Sequence, residues 1–124
     1  MAYTFLIDKA ARLIRETWTG EVTIADLEDS CRDEWEHPDY IPGMALISDF
    51  RESWSNISAD EVLRFASWFS SEDTPRKHAI VVSTQRSLDL GGLFTMIRDT
   101  NGEDRKRTQL FFSYVAAESW VAQS

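Results

Sequence analysis

Residues 46–61, LISDFRESWSNISADE, gather the side chains best placed to do chemistry. An apolar run stops at Asp49, Arg51 follows, and Ser53, Ser55 and Ser58 come before a stretch with helical spacing. Asp49 and Arg51 close a strand that reads as central and parallel. In open α/β sheets the ligand crevice lies beyond the carboxyl ends of such strands. There Asp49 could accept a hydrogen bond and Arg51 could hold an anion. The plainer alternative has Asp49 capping the turn through its side chain and Arg51 pairing with a nearby acid. Trp54 reads as part of a polar loop, as a contact residue or as a cover folded over the sheet edge. Ser53 and Ser58 lie where free amides and a helix dipole would favour a phosphate. Ser58-Ala-Asp-Glu61 is explained more simply as a capping box.

A second segment, Gln85-Arg86-Ser87-Leu88-Asp89-Leu90-Gly91-Gly92, follows a strand and opens a helix. Arg86, Asp89 and Gly91 stand where a phosphate cradle would be, but the Walker lysine and the GxGxxG spacing are absent. The paired glycines read better as close packing of helix on sheet. This segment and residues 49–54 should share one rim of the sheet, the first place to look for a small-molecule site. His37 sits before a proline in a loop, with Glu34, Glu36 and Asp39 nearby. His78 opens an apolar strand and reads as a half-buried edge residue. Neither histidine pairs with an evident Ser or Cys nucleophile, and no three- or four-ligand metal set is visible. Cys31 falls on an apolar helical stripe and reads as packing. No catalytic residue, metal or cofactor is assigned; a small enzyme using Asp49, Arg51 and His78 is a third reading.

The elements that must hold these side chains alternate in type. YTFLI (3–7) and ARLIRETW (11–18) read as strands joined at Asp8-Lys9 into an antiparallel hairpin that Gly20 ends. Thr23 caps a helix whose Ile24, Leu27, Cys31 and Trp35 form one stripe. Pro38, Pro42 and Gly43 break it, and MALISDF (44–50) is a strand of the kind covered on both faces. Val62, Phe65, Ala66 and Phe69 line the helix that Ser58 caps and Pro75 stops. HAIVVS (78–83), a helix over 88–99, the turn Asn101-Gly102, a strand over 108–114 and a short helix capped by Ser113 complete the order. The run 103–107 reads as a solvated loop.

Strands alternating with helices predict an α/β fold. It has one five-stranded mixed sheet: the N-terminal hairpin, then parallel β-α units with helices mainly on one face. The other face is expected to be covered only by its own side chains, with Tyr3, Phe5, Ile7, Leu13 and Arg15 as one alternating set. An uncovered apolar face rarely stays wet, so a homodimer is expected.

The chain of 124 residues fits a single domain, 1–124, with 43% hydrophobic residues for a core. Thirteen Lys and Arg stand against 21 Asp and Glu, a net charge of −8. That balance repels nucleic-acid backbones and anionic membrane surfaces. The N-terminus does not read as a signal peptide, and no apolar run reaches the roughly 18 residues of a membrane span. A cytoplasmic location is expected.

Five features in order give the chain a family likeness: RETWTGEVTIADL, HPDYIPGMALISDFRES, NISADEV, HAIVVSTQRSLDLGGLFTMI and LFFSYVAAESWV. Together they resemble the STAS and SpoIIAA-like proteins, and more narrowly the stand-alone SpoIIAA-like proteins of uncharacterised role. The resemblance implies binding rather than catalysis. In the antagonist members it implies a switch by phosphorylation at the start of the helix after the central strand, the region of Ser53, Ser55 and Ser58. The small glycine-containing turn of those members is absent here, and Trp54 takes up the space. Larger lipid-transfer relatives enclose a hydrophobic ligand. The expected function is a non-enzymatic protein-binding or regulatory module, with a carrier or sensor of a small hydrophobic or lipid-like ligand as the alternative.

Overall fold

A computed structural model of the chain describes residues 3–74, 76–101 and 107–123, with only the backbone for 96–101. Pro75, Gly102, the side chain of Ile97 and residues 103–106, to which the sequence assigned a helix stop, a turn, a buried face and a charged loop, lie outside the described residues. The strands are β1 (Tyr3–Asp8), β2 (Leu13–Glu21), β3 (Ala45–Trp54), β4 (His78–Val81) and β5 (Thr108–Phe111). The helices are α1 (Ile24–Trp35), α2 (Ala59–Glu72), α3 (Gln85–Asn101) and α4 (Tyr114–Ala122). The five strands lie side by side in chain order. β1 and β2 are antiparallel, and the remaining pairs are parallel.

Local chemistry sets the boundaries. Asp8 Oδ1 accepts from the Ala11 amide at 3.0 Å and ties the hairpin turn. Gly20 does not end β2. A register shift between Thr17 and Thr19 re-aims the strand, Gly20 takes a φ of +69°, and pairing runs on to Glu21 opposite Trp54. β3 is extended to match, so Arg51–Trp54 are strand, not loop. Thr23 with Asp26 and Ser58 with Glu61 form capping boxes that start α1 and α2. α3 starts three residues earlier than the apolar spacing predicts. Thr84 Oγ1 accepts from the Ser87 amide at 3.1 Å and caps the helix, which turns Gln85–Ser87 from loop into helix. Gly91 lets α3 pack closely on β5: a Cβ there would lie 2.7 Å from Leu110 Cδ2, and that side chain would have to move.

Two layers of helix cover the sheet. α1, α2 and α3 pack on the face carrying Trp18, Phe50, Ile80 and Val82, and the core there includes Cys31, Val62, Ala66, Phe69 and Phe94. The opposite face is not bare. Ala117, Tyr114, Trp120 and Val121 of α4 pack on Leu13, Ile47, Ala79, Val81 and Phe111. The expected alternating set is also split. Antiparallel partners share a face, and the pairs are Tyr3 with Trp18, Phe5 with Glu16 and Ile7 with Ile14. Tyr3 and Phe5 therefore point to the α1–α3 core, and Ile7 packs with Ile14, Met44 and Leu46. Leu13 faces α4, and Arg15 bonds Tyr114 and Glu118 of that helix. Leu6, on the outer side of the hairpin, stays 67% exposed.

The Ser58 hydroxyl accepts from the Glu61 amide at 3.2 Å, and Glu61 Oε1 accepts from the Ser58 amide at 3.1 Å. Ser58→Ala is expected to lower stability by about 1 kcal/mol in urea denaturation, while Ser58→Asp, which caps equally well, changes it little.

Candidate functional site

The site grows from three adjacent strands and their alternation. Ile14, Glu16 and Trp18 of β2, Leu46, Ser48 and Phe50 of β3, and His78 and Ile80 of β4, with Val82 just beyond it, point toward α1–α3. Each row is apolar except at one position, and register brings the exceptions together. Glu16 pairs with Ser48, and His78 lies opposite Leu46, one step along the same face. All three are buried.

They form one hydrogen-bonded chain. Glu16 Oε1 accepts from Trp18 Nε1 at 3.0 Å and from Ser48 Oγ at 2.7 Å. Ser48 Oγ lies 2.8 Å from His78 Nε2. With the Ser48 proton on Glu16, it is His78 Nε2 that donates to Ser48. That wiring is the reverse of a nucleophilic serine, whose proton goes to the histidine. From α1, Glu34 joins at 1% exposure. Burial first, then the Glu16 carboxylate and the hydrogen bond to it, push the Glu34 carboxyl well above the usual carboxylate range, against the pull of Arg76. The two carboxyls are hydrogen-bonded, and one proton must lie between them. Arg76 is itself buried, with its Nε 3.1 Å from Asp73 Oδ2. The lone thiol, Cys31, is pushed up by burial and then by Glu16 and Glu34, so it stays an unreactive wall residue.

This polar group ends an internal cavity of about 130 Å3 between the sheet and α1–α3. Most of the wall is apolar: Leu27 and Cys31 of α1, Val62, Phe65 and Phe69 of α2, Leu90 and Phe94 of α3, and Trp18, Leu46, Phe50 and Ile80 of the sheet. Ser53, Trp54 and Ser55 at the end of β3 face Ser87, Leu90 and Gly91 of α3 around the outer end. Trp54 is 56% exposed there. Arg86 spans the same end, donating from Nε to Ser55 O at 3.0 Å and from Nη2 to Ile57 O at 2.7 Å.

The residues singled out from sequence divide between two faces. Trp54, Ser53 and Gly91 line the cavity, and Arg86 is the clasp beside it. Asp49 and Arg51 point to the α4 face. Asp49 takes the Arg51 amide at 3.1 Å and its Nε and Nη2 at 2.9 and 2.8 Å. Burial alone would raise Asp49, but these bonds hold it below the ordinary range. The Arg51 guanidinium lies 5.3 Å from the Tyr114 ring, so the pair is an anchor for α4. Asp89 accepts from Gln85 within α3, and the Ser58 hydroxyl caps α2. His78 is no edge residue, because β4 lies between β3 and β5. His37 Nδ1 accepts from the Asp39 amide at 3.0 Å. Among the described residues no group of three or more His, Cys, Asp or Glu is placed to hold a metal ion, and no helix is long and apolar enough to cross a membrane.

Sequence reasoning passed over Glu16, Ser48 and Glu34. The signal was there: a polar residue in the middle of each inward row, and Glu34 three positions beyond Cys31 on the flank of the α1 stripe.

The architecture has a solved counterpart. It is similar to the crystal structure of an uncharacterized protein of the DUF3478 family, with a SpoIIAA-like fold, from Shewanella loihica. The match covers 97% of this chain and 92% of that chain, with a TM-score of 0.56 and 14% sequence identity. The chain has a SpoIIAA-like fold. At that identity the likeness extends to the SpoIIAA-like backbone and not to the cavity residues. No family model matches the sequence, and no curated protein matches it.

An acid whose pKa is raised by folding weighs against the folded state once pH passes its unfolded value, near ~4.3 for Glu. The groups around Glu34 are Glu16 of β2 and Asp73 and Arg76 beyond α2. Glu34→Gln keeps a donor for Glu16 and removes the titration. It is expected to be more stable than the parent at pH 8, where the parent carries the penalty of the raised carboxyl. The gap should close as pH falls to about 4.3, as read by chemical denaturation across that range.

Proposed function

We propose that the chain is a binding module for one small, largely apolar molecule, held between the sheet and α1–α3 as a carrier or sensor. The observation that supports this is the cavity of about 130 Å3, apolar along its length, polar at its inner end and bordered by Trp54 at its outer end. Native cores are packed to crystal-like density, with few voids larger than a water. An apolar cavity of about 150 Å3 takes a benzene ring, so the scale here is one six-membered ring. The other expectation, a regulatory surface for self-association, drew on an uncovered sheet face that α4 occupies over β3–β5. Binding needs no nucleophile, which agrees with a Ser48 whose proton is directed to Glu16.

Toluene titrated into the protein is expected to move amide resonances of Trp18, Phe50, Val62 and Phe94 in a saturable way and to raise Tm. Val62→Phe, which puts a ring into the cavity from α2, should abolish that response while leaving the far-UV dichroism unchanged. Shifts confined to the surface, or equal binding by the filled variant, would contradict the reading.

A further inference from the structure

At the polar end of the cavity, the Glu34 carboxyl carries a buried acceptor with no partner among the described residues. Glu16 Oε1 takes Trp18 and Ser48, Ser48 takes His78, and the Ser30 hydroxyl is turned away to Leu27 O at 2.7 Å. The Glu34 carboxyl is also hydrogen-bonded to Glu16. The Glu34 Oε2 is fully buried with no hydrogen-bond partner among the described residues. A buried acceptor left unfilled weakens the folded state, and native structures fill nearly all of them. Glu34 is one of the residues that line the cavity, where the rest of the lining is largely apolar.

We infer that the ligand is a ring-sized apolar body with a single uncharged hydrogen-bond donor, a hydroxyl, seated on the Glu34 carboxyl. This names the ligand class for the binding reading above and rests on it. Glu16, Ser48 and Ser30 are already engaged and offer a second polar group on the ligand no free hydrogen-bonding position. A charged head would have to shed its hydration beside groups that are already paired. The hydroxyl closes the chain: ligand O–H to Glu34, Glu34 to Glu16, with Trp18 and Ser48 holding Glu16 from the other side.

The test compares toluene with benzyl alcohol, measured by calorimetry or by amide shifts on the intact chain. A purely apolar cavity prefers toluene, because the hydroxyl must give up water for nothing. The expected result is the reverse, benzyl alcohol binding about tenfold more tightly, the worth of one good hydrogen bond to a buried acceptor. Glu34→Gln should keep that preference, since its amide nitrogen can donate to Glu16 while its carbonyl stays an acceptor. Glu34→Leu should return the preference to toluene. Toluene binding as tightly as the alcohol, or more so, in the unaltered protein overturns the donor assignment and leaves the binding reading standing. Binding of neither compound overturns both, with ordered water then filling the cavity. Should Glu34→Leu fail to fold, the order of the two ligands in the unaltered protein and in Glu34→Gln decides the question.

Discussion

A carboxylate in the middle of a sheet has to be surrounded by donors, and Glu16 dictates much of this molecule. Leaving it unpaired would cost several kcal/mol. The two bonds to Oε1 come from Trp18, two residues along the same strand, and Ser48, its neighbour across β2–β3. Both depend on register. A slip of one residue between β2 and β3 would turn Ser48 outward and replace it with Ile47 or Asp49. The acid therefore specifies alignment as well as burial. Trp18 is fixed on its other side by Phe50, stacked at 5.3 Å, and by Tyr3 at 5.0 Å. The Tyr3 hydroxyl in turn bonds Asp33 of α1, which ties the edge strand to the helix that supplies Glu34.

The two faces of the sheet then take different tasks. On the α4 side, polar groups are joined in ways that fasten the helix. Arg15 reaches Tyr114 and Glu118, and Lys77 donates to the Trp120 and Gln123 carbonyls at the end of α4. Cations at a helix C-terminus are favourable there. Asp49 and Arg51 belong to this fastening. On the α1–α3 side the polar groups face inward to a cavity, and Arg86 near its outer end is committed to backbone carbonyls. Arg86 thereby sets the spacing between the start of α3 and the β3–α2 connection. That spacing is the width of the entrance.

Much of the fold was legible because it depends on period and punctuation. Alternating strand and helix patterns gave the order of elements. Thr23, Ser58 and Ser113 marked helix starts that are made by the bonds their hydroxyls accept. Boundaries were lost where one strand borrows length from another. Gly20 looked like a stop, yet it is the residue that lets β2 continue past its bulge, and β3 continues only because β2 does. The cover on the second face was lost for a related reason. α4 follows the last strand, so no crossover rule places it, and only its side chains on Leu13, Ile47 and Val81 do. The site was legible least of all. Search by motif favours residues after strands and near glycines, and it led to Asp49, Arg51 and Asp89. Glu16, Ser48 and Glu34 stand alone in three separate segments, and nothing in sequence spacing relates them. Only the register of the finished sheet and the docking of α1 bring them to one point.

A chain selected for stability alone would not keep this arrangement. An apolar pocket of about 130 Å3 forfeits packing contacts that a filled core would make. A buried acid with an unmet acceptor adds to that loss. Domains of this size are stable by only about 5–15 kcal/mol. One larger side chain at Val62 or Cys31 would remove part of the deficit. Two independent departures from good packing, one steric and one electrostatic, meet at the same wall and on the face that α4 leaves alone. Strain of this kind is usually localised where a protein meets its ligand. A ligand with an apolar body and one donor cancels both deficits at once, and water filling the same space cancels only the second.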